Sequence, residues 1–285
     1  MTNPSARELS LNHASRKGLI YNHQAILPYQ SFACSEHRDY VSFKLMDWQQ
    51  KCLVVLPCFN EEHGLSALLP HLARHLPNIL VVDDGSTDKT LQIARKHKAN
   101  ILPLPANQGK GAALRQGLGQ AMRLGFSWAL VMDGDGQHSP ADIPAFLARA
   151  EKDGTDLVIG NRMAQCDDMP FVRRWTNRYL SYRISDLVGE SLPDTQCGFR
   201  LLRLAALTGV NLSTTGFEIE SEMLVQMALA KRRLAFVPVA TIYKEEQSKI
   251  HPVRDSLRWF RWLRSVKQTQ QLAHEEAKIF KPSQA

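Results

Sequence analysis

The chain has 285 residues, of which 44% are apolar and 22% are charged, and its formal net charge is +7. This length and composition are typical of one large domain with a sizeable core, and they exclude a largely disordered chain. The positive charge favours anionic partners such as nucleotides, lipid phosphates or nucleic acid, but it does not choose among them.

The cysteines and the apolar stretches indicate the compartment. The five cysteines, at positions 34, 52, 58, 166 and 197, form no CxxC pair and no zinc-site spacing. Such a scattered, odd-numbered set predicts reduced thiols in a reducing compartment. No apolar stretch reaches the roughly 20 residues of a membrane-spanning helix, and the N-terminus shows no apolar segment typical of a secretory signal. We therefore expect a cytoplasmic protein that meets any lipid from the inner face of the membrane.

Alternating strands and helices dominate the chain from residue 49 onward. Residues 1–48 have no sustained periodicity and are predicted to be an N-terminal extension. The predicted strands are apolar runs of the kind that parallel sheets bury, at 52–57, 79–82, 100–104, 128–133 and 156–160. The first predicted helix is capped by Asn60, the second extends from Ser86 to about His97, the third covers 109–124 and the fourth starts near Pro140. This order predicts an α/β fold with a mostly parallel sheet flanked by helices.

The pattern is looser after residue 165. We expect a helix over 170–190, a short strand within 198–204, a helix over 217–231 and a strand over 234–239. A final helix is predicted from Pro252 to about His274, with basic residues at three- or four-residue spacing and aromatic residues between them. Two interpretations of this helix are open: it lies on a membrane surface, or it packs on the domain with a solvated basic face.

Polar side chains follow four of the predicted strands where each strand ends. They are Asn60-Glu61, Asp83-Asp84, Asp133-Gly134-Asp135 and Asn161-Arg162. Because ligands of open α/β sheets bind outside the carboxyl ends of the strands, these four clusters together predict a binding site at that edge.

The segment VMDGDGQH contains the candidate metal ligands. Asp133 and Asp135 can both reach one cation if the backbone bends, and the glycines beside them permit that bend. Carboxylate oxygens, with Gln137 as a further oxygen donor, are ligands typical of Mg²⁺ or Mn²⁺. The plain alternative is a polar turn, but the position after a buried strand favours the metal site.

Two further segments indicate phosphate or nucleotide binding. Asp83 and Asp84 could accept hydrogen bonds from a base or ribose, although they could equally help to cap the following helix. NQGKGAAL at 107–114 is not a Walker phosphate loop, because its spacing is wrong and no Ser or Thr follows Lys110. Lys110 is still a candidate contact for a donor phosphate.

Seven segments, taken in order, resemble one known family. They are VVLPCFNEE (54–62), VVDDGSTDKT (81–90), NQGKGAALRQG (107–117), VMDGDGQH (131–138), IGNRM (159–163), DTQCGFRLL (194–202) and SKIHP (248–252). Together they resemble the family-2 inverting glycosyltransferases, and within them the dolichyl-phosphate mannose and glucose synthases. The resemblance implies a GT-A fold over 49–252, with a nucleotide-binding part at about 49–165 and an acceptor part at about 166–252. The basic helix and tail at 253–285 follow it.

The resemblance also implies a set of site residues. The nucleotide-sugar pocket would contain Pro57, Asn60, Glu61, Asp83, Asp84, Lys110, Asp133 and Gly134, and the metal site Asp133, Asp135 and Gln137. The acceptor phosphate would lie at Arg162, Arg173, Asn177 and Lys249, while Arg200 and Lys249 would close over the phosphates. The serine that mannose synthases carry near Asn177 is absent from this chain. DTQCGFR is closer to the glucose synthases, which favours UDP-glucose over GDP-mannose.

The acceptor decides which chemistry the enzyme needs. A phosphate monoester, whose second pKa is about 6, is already a nucleophile at neutral pH and needs no general base, only cations to hold it beside the anionic donor. A sugar hydroxyl would need a base, for which Asp194 is the candidate. The expected function is therefore transfer of a sugar to a polyprenyl phosphate. The candidate catalytic residues are Asp135 and Arg200, together with Asp194 in case the acceptor is a hydroxyl. Transfer to a glycan or lipid hydroxyl is the alternative.

Other function classes are less consistent with the sequence. A basic nucleic-acid-binding module would explain the charge and the Arg/Trp-rich last helix, but no nucleic-acid-binding motif accompanies them. The glycine-rich opening of a sugar nucleotidyltransferase is missing, since PCFNEE follows the first strand. Glu218, Glu220 and Glu222 are explained by the start of a helix, although one of them could touch the sugar or acceptor. In a transferase without a membrane span, we expect the last helix to meet the membrane.

Overall fold

A computed structural model describes residues 46–152, 154–166, 169–242 and 252–279, with the side chains of the last helix described for 254–272. Lys249 and Cys34 lie outside the described residues. Seven strands form one sheet: β1 (Cys52–Cys58), β2 (Ile79–Asp83), β3 (Asn100–Pro103), β4 (Trp128–Val131), β5 (Leu157–Asn161), β6 (Arg200–Arg203) and β7 (Leu234–Pro238).

In the described part of the chain, seven α-helices accompany the sheet in addition to a short helical segment at 46–51. They are α1 (Glu62–His75), α2 (Thr90–Lys96), α3 (Lys110–Arg123), α4 (Ile143–Ala150), α5 (Phe171–Val188), α6 (Ile219–Leu229) and α7 (Pro252–Ile279). Short 3₁₀ turns follow β4, β5 and β6, at Pro140–Asp142, Arg162–Ala164 and Leu204–Leu207. No helix among those described combines the length and the apolar character that crossing a membrane requires.

The strand order is β3-β2-β1-β4-β6-β5-β7, and β6 is the antiparallel member, between β4 and β5. The predicted α/β fold with a mostly parallel sheet is therefore confirmed. In the order of the chain, β1, β2 and β3 are added toward one edge of the sheet, whereas β4 and the strands after it lie on the other side of β1. This reversal between β1 and β4 makes a crevice at the carboxyl ends of the two strands, where such sheets bind ligands.

The core explains why the apolar runs became strands. All seven residues of β1 are buried, as expected for a central strand covered on both faces. Residues 46–51 are helical, and Trp48, which lies within the predicted extension 1–48, is only 2% exposed. Its ring meets that of Trp128 edge to face at 5.1 Å between centroids. The packed domain thus begins before residue 49.

Two local predictions need correction. Asn60 does not cap α1: its φ is +54°, and its side-chain oxygen accepts a hydrogen bond from Thr87 N at 2.8 Å. The following helix begins at Thr90 rather than at Ser86, because residues 86–88 are held in a loop against Asn60 and Asp88 accepts from Thr90 N at 2.9 Å. Asn60 therefore joins the ends of β1 and β2 instead of starting a helix.

Candidate active site

Asp84 holds the loop that leads into α3. It is buried, and its two oxygens accept from the backbone N–H groups of Gln108 at 2.7 Å and Gly109 at 2.8 Å. Burial raises the pKa of Asp84, and these two hydrogen bonds oppose the rise. Asp83 is equally buried, at 2% exposed, but its side chain accepts one longer bond, from Ser86 N at 3.3 Å. Of the two predicted nucleotide contacts, Asp84 is committed to the loop, which leaves Asp83 as the better candidate for a ligand.

The end of β1 contributes the predicted residues Pro57, Asn60 and Glu61. Pro57 pairs with Val82 of β2. The pairing of β1 with β4 ends at Val55, two residues earlier, so the missing N–H of Pro57 removes no hydrogen bond to β4. The backbone N–H of Glu61 donates to the hydroxyl of Thr90 at 2.8 Å. Both ends of this turn are thus bound to the segment that follows β2.

Lys110, at the start of α3, connects the two halves of the site. Its ammonium lies 2.6 Å from Asp133 Oδ1 and also contacts the carboxylate of Glu220 on α6. Although burial lowers the pKa of Lys110, the two carboxylates outweigh it and raise the pKa overall, so the ammonium stays charged. Asp133 therefore already neutralises one cation at the position predicted for the donor phosphates.

The predicted metal ligands follow β4 on a half-buried loop. Asp133, Asp135 and Gln137 are each partly exposed, whereas the intervening Gly134 and Gly136 are buried. Asp135 Oδ1 accepts from Gln137 N at 2.9 Å, which holds the turn. In the described part of the chain, no cluster of three His, Cys, Asp or Glu side chains could hold a metal ion by itself. Two carboxylates and an amide fit Mg²⁺ or Mn²⁺ when a diphosphate supplies further oxygens.

Gly64 shows how tightly α1 packs on this loop. A Cβ at Gly64 would lie 2.4 Å from the carbonyl oxygen of Gly134 and 2.6 Å from the carbonyl carbon of Asp135. The loop after β4 is therefore supported by helix backbone, and a side chain at Gly64 must push the helix and the loop apart.

In Gly64→Ala, overpacking should cost about 1–3 kcal/mol, whereas the higher helix propensity of alanine should contribute about 1 kcal/mol in the other direction. We therefore expect a net reduction in the free energy of unfolding. Gly119 of α3 is the matched control, because its Cβ would meet nothing closer than Arg123 Nη1 at 3.6 Å. Gly119→Ala should stabilise the protein by about 0.5–1 kcal/mol. Urea unfolding of both variants checks the opposite signs, and stabilisation of both would contradict the close packing.

His138 is a buried neutral group next to the candidate metal ligands. It is 5% exposed, and its Nδ1 has no hydrogen-bond partner among the described residues. Burial lowers the pKa of His138 to about 4; the nearby Asp133 carboxylate opposes this shift, and the Arg162 guanidinium adds to it. The imidazole is therefore uncharged at neutral pH and adds no positive charge to the site.

The low pKa of His138 predicts a pH-dependent stability. Below about pH 6.5 the unfolded histidine takes up a proton, whereas the folded one stays neutral until about pH 4, so stability falls across that interval. Between pH 7 and pH 5 the loss should be about 2 kcal/mol. Urea unfolding at both pH values should show this loss in the wild type and not in His138→Leu. Parallel pH dependences of the two proteins would contradict it.

Arg162 and Asp194 form a buried ion pair at the end of β5. The guanidinium donates through Nε to Oδ2 at 2.8 Å and through Nη2 to Oδ1 at 2.9 Å, and the backbone N–H of Arg162 adds a bond of 3.1 Å. Asp194 is 0% exposed, and the Arg162 charge keeps its pKa below the usual range despite burial. In this conformation Asp194 cannot reach an acceptor hydroxyl, which does not fit its predicted role as a base.

Arg200 also departs from its predicted role of closing over the phosphates. It is 1% exposed at the first position of β6. Its guanidinium donates to three backbone carbonyls: Cys197 O at 2.8 Å, Glu220 O at 2.6 Å and Thr195 O at 3.1 Å. Because no part of the side chain is accessible, Arg200 organises the 194–197 loop and the start of α6 instead of contacting a ligand.

The predicted acceptor residues Arg173 and Asn177 lie one turn apart on α5. Arg173 is half-buried, and Asn177 is buried with its amide 3.8 Å from the sulfur of Met169. They share the helix that follows the loop after β5, while Arg162 is committed to Asp194. Of the two described arginines of this predicted group, Arg173 is half-buried and Arg162 is buried.

Sequence reasoning assigned no specific role to the carboxylates of α6. Glu220 contacts Lys110, and Glu222 accepts from the backbone and hydroxyls of Ser213 and Thr214 at 2.7–3.1 Å. The signal was present in FEIESEM: three acidic residues in an otherwise apolar helix need buried partners, which a helix dipole alone does not supply.

Comparison with known proteins agrees with this geometry. The model of the family described as Glycosyl transferase family 2 matches residues 53–209. The chain is 30% identical over 215 residues to the UDP-N-acetylglucosamine–dolichyl-phosphate N-acetylglucosaminyltransferase of Methanococcus voltae, covering 67% of this chain and 86% of that protein. It is 31% identical over 178 residues to the polyprenol monophosphomannose synthase of Mycolicibacterium smegmatis, covering 58% and 66% of the two chains.

The fold is also that of a solved structure. Glucosyl-3-phosphoglycerate synthase from Mycobacterium tuberculosis, crystallised with Mn²⁺, uridine diphosphate and phosphoglyceric acid, matches with a TM-score of 0.61 at 19% identity, covering 80% of this chain and 81% of that one. This likeness concerns the GT-A architecture, whereas the family match concerns the strand-end segments that build the site. The predicted resemblance is thereby confirmed, and the chain belongs to glycosyl transferase family 2.

Proposed function

We propose that this glycosyltransferase moves a sugar from a nucleoside-diphosphate sugar to a polyprenyl phosphate. The observation that carries the proposal is the gathering of Asp83, Lys110, Asp133 and Asp135 at the crevice between the carboxyl ends of β1 and β4. Relatives named for polyprenyl- and dolichyl-phosphate acceptors support the acceptor class.

The donor half of the reaction uses the residues around β1, β2 and β4. We assign Asp83, with the turn of Pro57, Asn60 and Glu61, to the nucleoside. We assign Lys110 to a donor phosphate. Asp133, Asp135 and Gln137 would hold Mg²⁺ or Mn²⁺, in line with the Mn²⁺ and uridine diphosphate named for the structural neighbour. Such an ion supplies positive charge to a departing diphosphate.

The acceptor half needs cations and no base. A phosphate oxygen of the acceptor attacks the anomeric carbon as the bond from that carbon to the diphosphate breaks, and the nucleoside diphosphate leaves with the electron pair. Arg173 would bind the acceptor phosphate, with Asn177 beside it, and Lys249 is proposed from sequence alone. The enclosure of Asp194 by Arg162 supports this acceptor over a hydroxyl. We also propose that the enzyme works at the inner membrane surface, which α7 meets.

Transfer assays with purified protein test the proposal. UDP-glucose, which the sequence favours, UDP-N-acetylglucosamine, UDP-galactose and GDP-mannose would each be combined with Mn²⁺ or Mg²⁺, with and without undecaprenyl phosphate. We expect a metal-dependent lipid-phosphate sugar from one donor, most readily a UDP-sugar. Transfer to a glycan hydroxyl with no lipid-linked product from any donor would overturn the acceptor assignment.

A further inference from the structure

A groove between α5 and α7 is separate from the site described above. Its volume is about 550 Å³. Arg183 contributes from α5, and α7 contributes three cations, Arg261, Arg264 and Lys267, together with Leu257 and Phe260. The groove thus combines a cationic lining with an apolar one.

Its positive charge is only partly balanced within the chain. Lys267 Nζ lies 3.4 Å from Asp186 Oδ2, and Arg183 donates to the hydroxyl of Tyr179 at 2.8 Å. Arg261 and Arg264 are exposed, and neither forms an ion pair with any described residue. Among the described residues, the one ion pair of these cations is that of Lys267 with Asp186, so the groove has an excess of positive charge.

Large apolar side chains line the groove or are exposed elsewhere on the same two helices. Trp175 is 61% and Tyr182 67% exposed on α5, and Leu257 and Phe260 are exposed on α7. The rings of Trp175 and Tyr179 stack at 5.6 Å, and Tyr179 meets Phe260 at 6.4 Å. Aromatic side chains that stay exposed next to arginines are typical of a surface that enters the interface of a lipid bilayer.

A second face of α7 is packed on the domain and adjoins the groove, which Leu263 also lines. Trp259 and Leu263 are buried, Trp259 Nε1 donates to Ser221 Oγ at 2.8 Å, and Arg258 pairs with Glu218 at 2.8 Å. One face of the helix therefore packs on the domain and another is exposed, so that its contact with a membrane remains a prediction. The docking also gives the groove a defined position relative to the active site.

We infer that this groove binds the headgroup phosphates of anionic phospholipids and so holds the acceptor side of the site against the bilayer. Arg183 is ten residues beyond Arg173 on α5, about 15 Å along the helix. A headgroup in the groove would place Arg173 within reach of a phosphate at the same membrane surface. The inference deepens the proposed function. Only the orientation of the acceptor site toward the bilayer rests on that function, because headgroup binding itself requires no sugar transfer.

Vesicle co-sedimentation of the full chain tests the inference. Vesicles of phosphatidylcholine alone and with 30% phosphatidylglycerol would be used, both without polyprenyl phosphate, so that the acceptor site cannot contribute. We expect binding to the anionic vesicles only, and a loss of about 30-fold in affinity for Arg261→Gln/Arg264→Gln, from two lipid-facing charges. Arg95→Gln/Lys96→Gln, which removes two exposed charges at the end of α2, is the matched control and should change affinity less than twofold.

Three results would overturn the inference: no binding of the wild type to anionic vesicles, equal losses in the two double variants, or displacement by 10 mM inorganic phosphate at constant ionic strength. The last result would indicate a site for free phosphate. Wild-type transfer to undecaprenyl phosphate in detergent micelles is measured in parallel. Transfer without vesicle binding would overturn the headgroup site and leave the proposed function intact. Vesicle binding without transfer would overturn the proposed function and leave the headgroup site intact.

Discussion

Asp135→Asn is expected to reduce sugar transfer by at least about 1,000-fold. Asp135 is a carboxylate of the half-buried loop after β4, and asparagine would keep its size while removing the charge that a divalent cation needs. Without the charge stabilisation that such a cation supplies, the activation free energy of transfer rises by several kcal/mol. A rise of about 4 kcal/mol corresponds to a 1,000-fold lower rate. Initial rates with Mn²⁺ and the active donor measure the effect, and Mn²⁺ binding by electron paramagnetic resonance measures its cause.

The control for this variant is Asp47→Asn. Asp47 is an exposed residue of the 46–51 helix, paired with Lys51 at the amino end of β1, across the sheet from the site. We expect wild-type transfer and Mn²⁺ binding from it. Asp135→Asn with undiminished Mn²⁺ affinity and normal transfer would show that the loop after β4 does not hold the metal.

Asp194→Asn is expected to reduce the free energy of unfolding by about 3–5 kcal/mol. The substitution leaves the Arg162 guanidinium buried without its counter-charge, since both oxygens of Asp194 accept from it. The low pKa of Asp194 has the same origin. Urea unfolding at pH 7 measures the loss, and transfer to polyprenyl phosphate, measured well below the unfolding transition, should persist because that acceptor needs no base.

The double variant Arg162→Met/Asp194→Leu separates charge burial from shape. Two apolar residues of similar volume remove the uncompensated charge, so most of the lost stability should return. If the double variant is as unstable as Asp194→Asn, the geometry of the loop and not the buried charge accounts for the loss. Complete loss of transfer in a folded Asp194→Asn would instead indicate that Asp194 acts as a base.

The order of strands and helices was predictable because it depends on local patterns. β1 is buried on both faces and is apolar throughout, so its run of seven residues indicates a strand without any knowledge of its neighbours. The clustering of acidic residues at the sheet edge followed from the rule that parallel strands end together. The antiparallel β6 was not predictable from RLLR, because four residues carry no information on the direction of their partner strands.

Residue types and their spacing determined the fold class, the family and the metal-loop candidates of this protein, since these depend on segments that are contiguous in the chain. Only the tertiary structure decided which charged groups are accessible. Asp84, Asp194 and Arg200 have the chemistry of ligand contacts, yet each is enclosed in the fold. The loop that Asp84 holds and the arginine that pairs with Asp194 lie more than 20 residues away in the sequence, and Arg200 joins its own loop to Glu220, 20 residues away. Burial and pairing of this kind depend on long-range packing, which leaves no signal in the local sequence. The same packing places Lys110 between Asp133 and Glu220.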